Sequence, residues 1–321
     1  MRNMRIPFTL LLILLLIGCG TSYKEGVYTI GFLDAIEDST LGLARDGFQD
    51  ALEERGYSKE NNNLEILFRN AQGDMNTLVQ SLQFFTTRRV DLIAANSTLS
   101  TISAVQRSGD IPVCMMVAPE PHMAGLTDSE GNNPENLFGV YETLNYIDTS
   151  VQMILDWLPD VKTIGLVYNQ AETQSLNALE RIKQTANDLG LEVHALPVAN
   201  SSETQLVTQS LIERGIDVFF AMPDNIIFSS FEVVLRLCNR SGIPIFSSEA
   251  GLVARGAVAA FGADFYSWGH QAGLLAADFF DSERSELPPI QEVVVRNKIY
   301  NPEAVSTLGL DIPKGFQAFS N

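Results

Sequence analysis

The chain has 321 residues, with 21 Lys and Arg against 39 Asp and Glu, a formal net charge of −18. That balance excludes nucleic acid as a partner, because phosphate binding needs basic patches, and excludes peripheral attachment to anionic lipid; its plain use is colloidal solubility. Three cysteines with no CxxC or His/Cys ligand spacing leave no structural zinc site, and neither metal nor cofactor is expected.

In chain order, the first element is a leader. Arg2 and Arg5 precede an apolar run from Pro7 to Ile17, and Gly18 and Cys19 follow directly. A charged start, a short apolar core and small residues at its end read as a secretory signal over 1–18, too short to span a bilayer, which takes about 20 residues. The tetrad Leu16-Ile17-Gly18-Cys19 resembles a bacterial lipobox, which implies that Cys19 is acylated and becomes the mature N-terminus. The chemistry fits, since a thiolate is the attacking group and small Gly18 leaves the bond accessible. The chain would then be a lipoprotein on an extracytoplasmic membrane face, with 19–26 as a polar tether. Cys114 and Cys238 lie in apolar stretches and read as buried small hydrophobes, with a disulfide between them left open.

About 300 residues remain after the leader, enough for two domains. VYTIGFL (27–33) is a continuous apolar run of the kind a strand buried on both faces shows. Residues 42–55 carry Ala44, Phe48, Ala51 and Leu52 at helical spacing, with Gly56 as the stop. LEILFRN (64–70) is a strand, Asp74 caps a helix with Leu78, Leu82 and Phe85 on one face, VDLIAAN (90–96) is a strand, 99–107 a short helix and IPVCMMV (111–117) a strand. The rhythm then repeats: helix 146–158, strand 162–169, helix 174–189, strand 191–198, a helix from Ser201 or Ser202 to Arg214, strand 216–222, helix 226–240, strands 243–248 and 257–263, a helix from about Tyr266 to Phe280, and strand 291–297.

Strands alternating with helices imply parallel sheets covered on both faces, so the fold class is α/β with two Rossmann-like lobes joined by a hinge. The first lobe is expected over 27–142 and the second over 143–265, with the polar segment from Pro134 to Leu144 as the crossover. The helix at about 266–282 returns to the first lobe, the strand at about 291–297 returns to the second, and 298–321 is a tail. Ligands of such sheets sit outside the carboxyl ends of the strands, and two facing lobes would put those loops around one cleft.

Enzymes lose their usual marks: no GxGxxG follows the first strand, there is no Walker A sequence, and no serine sits in a GxSxG context. His194 and His270 lie inside apparent elements with no second ligand nearby and read as structural. The predicted carboxyl ends instead gather Ser97 and Thr98, Tyr168 and Asn169, Asp224 and Asn225, Ser248 and Glu249, and Asp264. Hydroxyls and N–H groups at a helix start suit a carboxylate, and a carboxylate such as Asp264 suits an ammonium, so the set suits a zwitterion. Each residue alone is equally ordinary capping or loop chemistry; their convergence on one sheet edge favours a site.

From about Tyr28 to Pro313 the chain resembles the ABC-transporter substrate-binding proteins of the tryptophan/tyrosine-binding type, which have the type I periplasmic binding fold. The resemblance rests on ARDGFQDALEERGY (44–57), RNAQGDMNTL (69–78), VDLIAANST (90–98), MPDN (222–225), IPIFSSE (243–249) and RGAVAAFGADFYSWGHQAG (255–273). It implies a monomeric receptor that passes a small molecule to an ABC permease and ATPase, without chemistry on the ligand. It also implies that Ser97 and Thr98 hold a carboxylate, that Asn169, Asp224 and Asn225 contact the ligand from the second lobe, and that Asp264 pairs with an amine. Two loops depart from the family pattern, LDAIEDSTL (33–41) and Pro119-Glu120-Pro121, and both shift the chemistry toward acid. The expected ligand is an amino acid, aromatic or not, with a nucleoside or sugar-like ligand and a sensor role as the alternatives.

Overall fold

The computed structural model describes residues 26–319; the leader, its lipobox and Cys19 lie outside the described residues. The first sheet is built from β1 (Tyr28–Asp34), β2 (Leu64–Asn70), β3 (Leu92–Asn96), β4 (Val113–Met116) and β5 (Leu137–Tyr141). Between them run α1 (Ser39–Glu54), α2 (Met75–Arg88) and α3 (Thr98–Arg107), each started by a side-chain cap, from Asp38, Asp74 and Ser97. An N-cap oxygen satisfies N–H groups that the first helical turn leaves open, which fixes where these helices begin. The chain then crosses to α4 (Tyr146–Trp157), β6 (Thr163–Asn169), α5 (Thr173–Asp188), β7 (Glu192–Val198), α6 (Thr204–Glu213), β8 (Val218–Ala221) and α7 (Asn225–Ser241). The second lobe continues with β9 (Ile245–Ser247), α8 (Gly251–Ala254) and β10 (Ala259–Ala263). Last come α9 (Phe265–Asp281), β11 (Ile290–Glu292), β12 (Arg296–Tyr300), α10 (Pro302–Leu308) and β13 (Gln317–Ala318).

Two sheets result, in the orders β11-β5-β4-β3-β1-β2 and β13-β12-β10-β9-β8-β6-β7, parallel throughout except where β12 runs against β10. Fully buried apolar strands such as β3 and β4 explain the continuous apolar runs, because helices cover both faces of a parallel sheet. The carboxyl ends of the first sheet line up: Asp34 is level with Asn70 and Asn96, and Asn96 with Met116.

Helix α9 packs on α1 in the first lobe through glycines. A Cβ at Gly269 would lie 1.8 Å from the Ala44 carbonyl oxygen, and one at Gly273 would lie 2.5 Å from that of Phe48. Trp268 Nε1 donates to the Val140 carbonyl at 2.9 Å and pins the helix to β5.

Three boundaries differ from the sequence reading. The segment 134–144 is not all crossover, since Leu137–Tyr141 is strand β5, buried and paired with β4. The run 291–297 is two strands, not one: β11 pairs with β5 in the first sheet and β12 with β10 in the second. Val293 to Val295 form the link between them, with Val294 73 % exposed, so the apolar run reflects a crossing rather than a sheet. Nor is 298–321 a mere tail. Its Val305 is buried and its Phe316 meets Trp157 edge-on at 5.2 Å, because the second lobe would otherwise leave Trp157 uncovered.

Candidate ligand-binding cleft

Between the lobes lies a narrow cleft at the carboxyl ends of both sheets, lined by residues of both lobes. One wall is aromatic. Phe228 of α7 meets Phe265 of α9 edge-on at 6.2 Å, and Phe265 meets Trp268 at 5.8 Å, so rings from both lobes form a continuous surface. The lining is otherwise rich in acid, with Glu142, Glu172, Asp224 and Glu249, and no Lys, Arg or His is among the described residues that line the space.

Each acid is held differently. Asp224 caps α7, accepting from the Ile226 and Ile227 amides with one oxygen and from the Asn169 amide and Ser175 hydroxyl with the other. Glu172 accepts from the Asn225 side chain at 2.8 Å and, weakly, from its amide. Burial, with Asp224 close by, pushes the Glu172 carboxyl well above the usual range. Glu142 is bound by both arms of the Arg296 guanidinium, at 2.9 and 2.6 Å, yet burial still pushes it up to about 7. Glu249 is 2 % exposed and receives the Tyr146 hydroxyl at 2.8 Å on Oε1; burial pushes it up to about 8.

Of the residues singled out from sequence, Ser97, Thr98, Asp224, Asn225 and Glu249 line the cleft together; Asn169 and Asp264 do not. Asn169 stands behind it, its amide on Asp224. Asp264 caps α9, accepting from the Ser267 amide at 2.7 Å, and its other oxygen faces Asn297 at 3.5 Å. Sequence reasoning passed over Glu142, Tyr146, Glu172, Gln174 and the aromatic wall. Phe228 and Trp268 lie within the helices expected over 226–240 and about 266–280, where an aromatic residue carries no signal of its own, and Glu172 lies in the short loop before the helix expected from 174.

Ser97 and Val117, both in the lining, have φ of 110° and 50°. Positive φ is strained for a serine and more so for a β-branched valine, and such strain gathers where a site dictates the backbone. Side chains bridge the lobes around the cleft, Arg296 on Glu142 among them. The Thr98 hydroxyl donates to Gln174 Oε1 at 2.6 Å, and Arg255 donates to Asp38 Oδ2 at 2.8 Å. Arg255 also grips Glu232 and the Phe228 carbonyl on its own lobe.

The three histidines pair with Glu120, Glu192 and Glu54 outside this space. Cys114 and Cys238 are both buried and unpaired. Among the described residues no helix is long and apolar enough to cross a membrane.

The family described as ABC transporter substrate binding protein matches residues 29–318. The chain belongs to that family. It is 33 % identical over 281 residues to the Tyrosine-binding protein of Clostridioides difficile (strain R20291), across 88 % of this chain and 81 % of that one. A conserved domain protein from Vibrio cholerae superposes with a TM-score of 0.81 at 26 % identity, covering 91 % of this chain and 99 % of the other. An ABC domain from Streptococcus pneumonia in complex with L-Trp superposes at 0.79 and 26 % identity, over 90 % and 96 % of the two chains. The ligand-free, open structure of a substrate-binding protein with adhesive properties from Clostridium difficile reaches 0.68 at 28 % identity, over 91 % and 99 %. The fold is the two-lobed type I periplasmic binding fold, and the family's role is binding, not catalysis.

Proposed function

We propose that this ABC substrate-binding protein captures an amino acid with an apolar, best an aromatic, side chain in the cleft between its lobes. It then delivers the ligand to an ABC permease and ATPase on the extracytoplasmic side, acting as a monomeric lipoprotein anchored through acylated Cys19. The observation that carries the ligand class is the pairing of the Phe228–Phe265–Trp268 wall with carboxylates in a lining that holds no cationic side chain. An aromatic body would stack on the rings, and an ammonium would meet the acids. The ligand carboxylate would sit at the start of α3, where Ser97 and Thr98 bring hydroxyls and the helix brings N–H groups. The names of the relatives, one a tyrosine-binding protein and one an L-Trp complex, support the same class.

Mass spectrometry of small molecules released from gently purified protein, followed by thermal-shift titration of the 20 standard amino acids, tests this reading. A shift of several degrees with L-tyrosine or L-tryptophan is expected, since a ligand at about 100 times its Kd adds about 2.7 kcal/mol of stability. No shift with any amino acid overturns it, and a nucleoside or sugar in the released fraction would replace it. A Cys19→Ser chain should leave the membrane fraction; retention there would refute the anchor.

A further inference from the structure

The four acids of the cleft differ in one respect that decides which of them meets the ligand. Both oxygens of Asp224 are engaged by protein donors, both oxygens of Glu142 by Arg296, and both oxygens of Glu172 by Asn225. Only Glu249 keeps an oxygen without a donor: Oε1 takes the Tyr146 hydroxyl and, at 3.4 Å, that of Ser248, while Oε2 takes nothing among the described residues. Glu249 lines the cleft and its Oε2 is not sealed off among buried partnerless atoms, so that oxygen is the one a ligand N–H can reach.

We infer that Glu249 is the specificity-determining residue for an amine-bearing ligand, its Oε2 accepting directly from the ligand ammonium while the Tyr146 hydroxyl on Oε1 holds the carboxyl in place. This rests on the amino acid reading of the cleft and moves the amine contact away from Asp264. The tether is short: Glu249 stands two residues past the end of β9, and its own amide is held by the Ser247 hydroxyl at 2.9 Å, so its backbone is fixed to the strand end. Asp264, by contrast, spends one oxygen on the α9 cap and does not border the space.

A proton accompanies the exchange. The groups that act on Glu249 are Tyr146 from α4, its neighbour Ser248, and Glu142 from the crossover, itself held by Arg296 of β12. No cation reaches Glu249 directly in this set, so the carboxyl of the empty cleft keeps its proton at neutral pH. An arriving ammonium favours the carboxylate, and the proton leaves to solvent as the N–H···O bond forms.

Calorimetry of L-tyrosine and L-tryptophan binding to the full chain, at pH 7 in phosphate and in Tris, tests the inference. It is run beside Glu249→Gln, Glu249→Asp and Asp264→Asn, with 3-(4-hydroxyphenyl)propionate and 3-(indol-3-yl)propionate as amine-free probes. The wild type should release a fraction of a proton per ligand and prefer the amine-bearing partner of each pair. Glu249→Gln should weaken amino acid binding by about 30-fold or more, release no proton and lose the preference for the amine, while Asp264→Asn stays close to wild type. Glu249→Asp should recover part of the affinity, which loss of packing alone would not predict. If Glu249→Gln fails to fold, the wild-type proton release decides alone: its absence overturns the inference. Binding that survives in Glu249→Gln but fails in Asp264→Asn overturns it too and returns the amine to Asp264. If the wild type binds no amino acid at all, the parent reading fails instead, and the two failures are distinct.

Discussion

Asp34, Glu142 and Glu249 are carboxyls that the folded chain protonates more readily than water would, because burial penalises their charge; Asp34 is pushed up to about 6, Glu142 to about 7 and Glu249 to about 8. For such a group the folded state holds the proton more tightly than the unfolded chain, whose carboxyls titrate near 4. Its contribution to stability is therefore fully present below about pH 4 and is lost as pH rises through the folded value. The ligand-free protein should lose thermal stability between about pH 5 and 8. A melting series across that range checks this, and Glu249→Gln should flatten the upper half of the profile. A wild-type curve that is flat or rising over this window would contradict the assignment. At this scale the sequence was partly readable. Ser97, Thr98, Asp224, Asn225 and Glu249 could be placed at strand ends by pattern, and they do share the cleft. What no pattern could tell was which carboxylate retains a free oxygen, because the partners come from Tyr146, Ser175, Asn169 and Arg296, up to 154 residues away.

Among the elements, α9 is the clearest case of sequence prescribing geometry. Gly47, Gly269 and Gly273 let two helix backbones touch, and a side chain at Gly269 has nowhere to go because the obstacle is the Ala44 carbonyl, which cannot rotate aside. Gly269→Ala should cost about 3 kcal/mol, at the upper end of overpacking effects, with a lowered urea midpoint as the readout. Gly309→Ala, past the end of α10 with open space around it but φ of 64°, should cost less, about 1 kcal/mol. Equal losses at the two sites would argue against close backbone contact as the cause. The elements that were legible share a property: buried on both faces, they show unbroken apolar runs, as β3 and β4 do. Strand β5 was hidden because only five residues of LFGVY separate a polar segment from Glu142, and Gly139 inside it adopts φ of 125° against the Met115 backbone. The division of 291–297 between two sheets was hidden for a different reason. Hydropathy reports burial, not which partner provides it, and Gln271 rather than a strand receives the Val294 amide.

For the molecule as a whole, closure is held by contacts that owe nothing to a ligand. Arg255 reaches from the second lobe to Asp38, the cap of α1, while anchored on its own side by Glu232 and the Phe228 carbonyl. Asp38 is nearly buried, so the pair is more than a solvated surface bridge. Arg255→Ala should weaken ligand binding by about tenfold, chiefly through faster release, because the contact exists only with the lobes together. Stopped-flow release rates and the small-angle scattering radius without ligand check this; an unchanged release rate would remove Arg255 from the closing machinery. The way the chain is shared between the lobes has a consequence for biogenesis. The first sheet is completed only by β11, and the groove on α1 is filled only by α9, yet the whole second-lobe core from α4 to β10 is made in between. A ribosome that has finished 264 residues has thus produced a first lobe with one helix face bare and one sheet edge open. Half-made chains are therefore slow to commit to their final form, as expected where the decisive contacts are distant in sequence.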